Sequence, residues 1–125
     1  MSNLETGIER ILELKVTQED TANAMGSGNL DVYATPAMIA GMERCAMDLV
    51  QSYLEFGYTT VGTAVNIKHI KATPVGVRVN TVARLIEIDD KKLVFEVESY
   101  DTNGMIGTGT HNRYIINEIE FNNNL

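Results

Sequence analysis

A chain of 125 residues, 44% hydrophobic and 22% charged, is long enough to bury one core and too apolar to remain disordered, so a single domain over residues 1–125 is expected. Ten Lys and Arg against seventeen Asp and Glu leave a formal charge of -7, which disfavours a sequence-independent grip on nucleic acid or on an anionic membrane. With Cys45 as the sole cysteine and only His69 and His111 as histidines, an intrachain disulfide and a cysteine-based zinc site are excluded, and no metal site is expected.

The N-terminal segment Met1-Ser2-Asn3-Leu4-Glu5-Thr6 has no basic stretch leading into an apolar run. No segment approaches the roughly 20 apolar residues that span a bilayer, so the expected location is cytoplasmic. Residues 7–16 alternate between apolar and charged side chains and predict a first strand. Residues 17–31 are small and polar, and Met25-Gly26-Ser27-Gly28-Asn29 predicts a flexible loop, either laid over a pocket or serving as a plain connection.

Thr35-Pro36 marks a helix start, since threonine can cap free backbone N–H groups and proline suits the first helical position. Met38, Ile39, Met42, Cys45, Ala46, Leu49, Val50, Tyr53 and Leu54 then recur at helical spacing, predicting a helix of about five turns that ends near Gly57. Glu43 falls at the edge of that apolar stripe, beside Ile39 and Val50. A carboxylate placed there is partly buried and needs hydrogen bonds to replace its water, unless it swings outward as a rim residue.

Beyond the helix the period becomes 2. Val61, Thr63, Val65, Ile67 and His69 are expected to share one strand face, which aligns the imidazole with core-facing residues; a structural histidine bound to a backbone carbonyl is the plainer account. A turn at Ala72-Thr73-Pro74-Val75-Gly76 leads to strands over residues 77–86, 92–100 and 105–117, joined at Asp89-Asp90-Lys91 and at Asn103-Gly104. Gly107 and Gly109 suggest a bulge or a close approach by another backbone or a ligand, and residues 121–125 a frayed tail. One strand, one long helix and four further strands make an α+β fold, with a five-stranded antiparallel sheet packed on a central helix. One helix leaves a sheet face and two edges open, so self-association is expected.

Three segments carry a resemblance: Ala34-Thr35-Pro36-Ala37-Met38-Ile39-Ala40-Gly41-Met42-Glu43-Arg44-Cys45-Ala46, the run from Val61-Gly62-Thr63-Ala64 through His69 to Pro74-Val75-Gly76, and Ile106-Gly107-Thr108-Gly109-Thr110-His111-Asn112-Arg113. Together they are similar to the fluoroacetyl-CoA thioesterase-like branch of the hot-dog thioesterases, over nearly the whole chain. The resemblance implies a hot-dog fold, homodimers that pair their sheets edge to edge and could assemble into tetramers, and sites at the dimer interface that hold a coenzyme A thioester. Thr35, Glu43 and His69 match the family's catalytic residues, and Gly62 the glycine associated with the thioester carbonyl. Coenzyme A would enter as part of the substrate, with no separate cofactor.

Those residue types suit the chemistry. Glu43 would attack the carbonyl or activate water, His69 would shuttle a proton near neutral pH, Thr35 would orient Glu43 or the water, and the Gly62 N–H would meet the oxyanion. The aromatic lid of the fluoroacetyl-specific member is replaced here by Met25-Gly26-Ser27-Gly28-Asn29-Leu30, which directs the expectation to a short- or medium-chain acyl-CoA. Lys68, Lys71, Arg78 and Arg113 are the cations within reach of coenzyme A phosphates, while His111 and Arg113 also fit a structural role. The alternatives are a non-catalytic acyl-CoA binding module and a hot-dog hydratase or dehydratase.

Overall fold

The computed structural model describes residues 4–125. In chain order they form β1 (Glu9–Lys15), a 3-10 turn (Gln18–Asp20), α1 (Ala22–Met25), α2 (Thr35–Gln51), β2 (Tyr58–His69), β3 (Arg78–Asp89), β4 (Lys92–Asp101), β5 (Gly104–Asn117) and α3 (Glu118–Asn123). The five strands make one antiparallel sheet in the order β1-β3-β4-β5-β2, and α2 packs against all five. Among the described residues no helix is long and apolar enough to cross a membrane.

The helical spacing of apolar residues explains this packing. Met38, Met42, Cys45, Ala46, Leu49 and Val50 are buried on one side of α2 and meet Val79, Ala83, Leu85, Leu93, Phe95, Val97, Ile106 and Ile115 from the sheet, removing apolar surface from water. The close approach expected at Gly107 and Gly109 is present at both, and a bulge adjoins Gly107, where the pairing with β4 steps from Ser99↔Gly107 to Tyr100↔Met105 and leaves Ile106 as the extra residue. A Cβ at Gly107 would stand 2.5 Å from Met38 Sδ, and one at Gly109 would overlap the Asn66 carbonyl. The first glycine lets the helix settle on β5, and the second lets β2 run close alongside.

Three expectations are corrected. The long helix ends at Gln51 with Ser52 as its cap, and Gly57, at φ +90°, serves the turn into β2 instead. The loop expected at Met25–Asn29 begins one residue later, because Met25 closes α1, and the polar residues ahead of it form the 3-10 turn and α1. The Thr17 backbone N–H donates to Asp20 Oδ2 at 2.8 Å, and Thr21 Oγ1 caps α1 by accepting from the Ala24 N–H at 3.1 Å; bridges Thr21↔Tyr33 and Val32↔Pro74 tie the segment to the domain. The C-terminal tail is largely helical, because Asn117 Oδ1 accepts from the Glu120 N–H at 3.0 Å and starts α3.

Candidate active site

Thr35 does not cap α2. Ala34 occupies the cap position, Thr35 is the first helical residue, and no side chain caps the helix. The threonine hydroxyl is therefore left for the sheet, where its Oγ1 lies 2.8 Å from His69 Nδ1. Burial pushes the His69 imidazole below its ordinary pKa, opposed by the nearby Lys71 backbone carbonyl. His69 Nε2 is buried and has no hydrogen-bond partner among the described residues. This pair, with Ser27, Tyr33 and Lys71, lines a cleft of about 330 Å³.

Gly62 reaches the helix side of β2 through a bulge that simple alternation does not foresee. Opposite β5, Gly62 pairs with Arg113 and Ala64 with Asn112, so Thr63 is the extra residue. Seven positions apart, Gly62 and His69 would fall on opposite faces of a regular strand. The bulge shifts the phase and puts both on the α2 side, because their partners Arg113 and Gly107 share one face of β5. The expected face of Val61, Thr63, Val65, Ile67 and His69 is thus corrected: Val65, Ile67 and His69 keep it, Thr63 is the bulge, and Val61 turns to the other side, opposite Tyr114.

Glu43 is half-buried and reaches Gly62 from α2. A Cβ at Gly62 would stand 2.8 Å from Glu43 Oε2, 3.2 Å from His111 Cε1 and 3.3 Å from Arg113 Nη1, so the missing side chain is what admits the carboxylate. Glu43, Gly62, Thr63, Val65 and His111 line a second cleft of about 340 Å³. The chain thus brings together Thr35 with His69, and Glu43 with Gly62, as two pairs in separate clefts. Thr35 and Glu43 are eight residues apart, about 12 Å along the helix axis.

The buried His111 lines the second cleft, and Arg113 lies behind it. His111 Nδ1 lies 2.8 Å from the Ala64 carbonyl, and Arg113 Nη1 lies 3.1 Å from His111 Nε2. Arg113 also donates from Nε to Thr60 Oγ1 at 2.7 Å and from Nη2 to the Thr60 carbonyl at 2.9 Å. Burial lowers the pKa of both groups, with Glu43 opposing. At 6% exposure, Arg113 is no surface cation for a coenzyme A phosphate. Arg78 pairs with Glu13, Lys71 with Asp101, and Lys68 is exposed. The sequence signal for a role beside Glu43 was the i, i+2 placement of His111 and Arg113 on one strand face.

The family model described as fluoroacetyl-CoA-specific thioesterase matches residues 16–119. A fluoroacetyl-CoA thioesterase from Streptantibioticus cattleyicolor is 36% identical over 92 residues, which cover 74% of this chain and 66% of that protein, just under two thirds of its length. Among solved structures, a fluoroacetyl-CoA thioesterase superposes with a TM-score of 0.93 at 28% identity, covering 98% of this chain and 96% of that one. A thioesterase superfamily member from Thermus thermophilus gives 0.91 at 29% identity, covering 98% and 91%. These likenesses bear out the hot-dog fold.

Proposed function

This chain belongs to the fluoroacetyl-CoA-specific thioesterase family, and from that membership we propose that it hydrolyses a short- or medium-chain acyl-CoA thioester in a site completed by a second copy of itself. The observation that carries this reading is the distribution of the four residues along β2. Gly62, with Glu43 upon it, and His69, held by Thr35, sit toward opposite ends of one strand, on the same face. That strand is the edge of the sheet, with backbone groups free to pair. An antiparallel two-fold pairing of β2 with its copy, centred near Val65 and Asn66, sets the partner's His69 beside the Gly62 bulge at the spacing of neighbouring strands, about 4.8 Å. Each dimer would then hold two complete sites.

In such a site the thioester carbonyl lies over Gly62, whose N–H faces the developing oxyanion. Glu43 accepts a proton from the attacking water. The partner's Thr35 accepts a hydrogen bond from Nδ1–H of the partner's His69, which leaves the lone pair on Nε2 free to act as a base. That nitrogen takes the proton on from Glu43 and delivers it to the departing thiolate. Burial suits His69 to this relay, because an imidazole neutral at pH 7 is ready to receive the proton. Thr35 orients the imidazole, since its hydroxyl touches His69 within the chain. No cofactor takes part in these steps.

A thiol-release assay over acyl-CoAs from two to ten carbons tests the reading. The wild type is expected to turn over at the shorter end, and Glu43→Gln and His69→Ala to lose on the order of a hundredfold or more in kcat. Hydrolysis that survives both substitutions would refute the assignment. Tight acyl-CoA binding without turnover in the wild type would make the protein a binding module.

A further inference from the structure

The reaction above uses neither His111 nor Arg113, yet the bonds around His111 leave it one protonation state. A carbonyl oxygen only accepts and a guanidinium only donates, so the Ala64 contact requires a proton on Nδ1 and the Arg113 contact a lone pair on Nε2. Phe95 stacks on the ring with centroids 6.2 Å apart, and His111 is 1% exposed. The ring is therefore held in one orientation as well as one tautomer. Its two bonds end on the parts that shape the Glu43 cleft. Ala64 is the residue where pairing with β5 resumes after the bulge, and Arg113 Nη1 borders the same point above Gly62 as Glu43 Oε2.

We propose that His111, as the neutral Nδ1–H tautomer, is a positioning residue for the Glu43 and Gly62 cleft, pinning the bulge through Ala64 and fixing the Arg113 guanidinium through Nε2. The charged groups facing the ring are Arg113 from β5 and Glu43 from α2; Ala64, Val65 and Phe95 contribute none. A second proton on the ring removes the acceptor for Arg113 and sets two cations side by side, so the guanidinium must move away. The cleft then loses its fixed charge beside Glu43. The kinetic consequence rests on the thioesterase reading, whereas the link between the two side chains does not.

Nitrogen-15 spectra of the imidazole and guanidinium groups, recorded on the full chain from pH 8 to pH 5, test the link. The expected result is an Nδ1–H imidazole for His111 at pH 8, an Arg113 Nε–H resonance that shifts as His111 gains its second proton, and no such shift in His111→Gln. Glutamine can donate to Ala64 and accept from Arg113 without titrating. In turnover at pH 8, His111→Gln is expected to stay within about threefold of the wild type, and His111→Leu to lose ten- to a hundredfold in kcat, of the order that small misplacement of reacting groups costs. An Nε2–H tautomer, an Arg113 signal indifferent to the state of His111, or a His111→Leu protein with wild-type kcat would overturn the proposal. A wild type that hydrolyses no acyl-CoA would remove the reaction while the spectra still decided the link.

Discussion

Gly62 shows how one missing side chain can separate function from stability. The atom that a new methyl group would press hardest is Glu43 Oε2, the end of a flexible side chain, which can swing aside at little cost to the fold. With the further contacts to His111 Cε1 at 3.2 Å and Arg113 Nη1 at 3.3 Å, Gly62→Ala is expected to cost about 1 kcal/mol of stability while lowering kcat at least tenfold, as urea titration and thiol release would show. An equal loss in both would mean that Gly62 serves packing alone. The two imidazoles make a second residue-scale prediction. Burial holds His69 and His111 below their ordinary value of 6.5 in the folded chain, so between 6.5 and the folded values the unfolded chain binds more protons. Stability is complete above about pH 6.5 and declines as pH falls through the folded-state values. The urea midpoint should drop between pH 7 and pH 5, less so in His111→Gln; a midpoint that stays constant would contradict the burial of both rings.

At the scale of elements, the helix and the strands follow from periodicity, because apolar residues at 3.6 and 2.0 spacing can be buried in few other ways, whereas the order that sets β2 beside β5 does not. Cys45, Ala46 and Leu49 declare the buried face of α2, and the turn at Asn103-Gly104 declares the hairpin between β4 and β5. The bulge at Thr63 was not legible, since an inserted residue leaves the polar and apolar alternation on either side looking continuous. The caps were harder still. Thr35 has the chemistry of a helix cap, and only the position of β2 shows that its hydroxyl goes to His69. Residues 17–24 gave no helix signal because Thr17, Asp20 and Thr21 serve equally in turns and in the caps they form. The Thr35–His69 and Glu43–Gly62 pairs depend on how helix and strand lie across each other, which local pattern does not encode. The contact between β2 and β5 yields its own test. A methyl group at Gly109 would meet the backbone of Asn66 and Ile67, which cannot rotate away. Gly109→Ala should thus cost about 3 kcal/mol, well beyond Gly62→Ala, and equal thermal midpoints for the two variants would show that β2 can shift freely along its partner.

For the whole molecule, the question is whether one chain or two make a site, and the division of the four residues between separate clefts gives a direct way to ask it. If Glu43 works with the partner's His69, a dimer of one Glu43→Gln chain and one His69→Ala chain carries a site with both defects and another with neither. Half of the dimers formed from an equal mixture of the two chains are of this kind, so co-refolding two variants that are inactive alone should restore about a quarter of wild-type activity. If Glu43 and His69 act within one chain, each site of the mixed dimer keeps a defect, and the mixture stays as inactive as its parts. A single thiol-release measurement before and after co-refolding separates the two arrangements. Restored activity would also place the symmetry axis at β2, because only a pairing that runs the strand against its own copy brings the Gly62 end of one chain to the His69 end of the other.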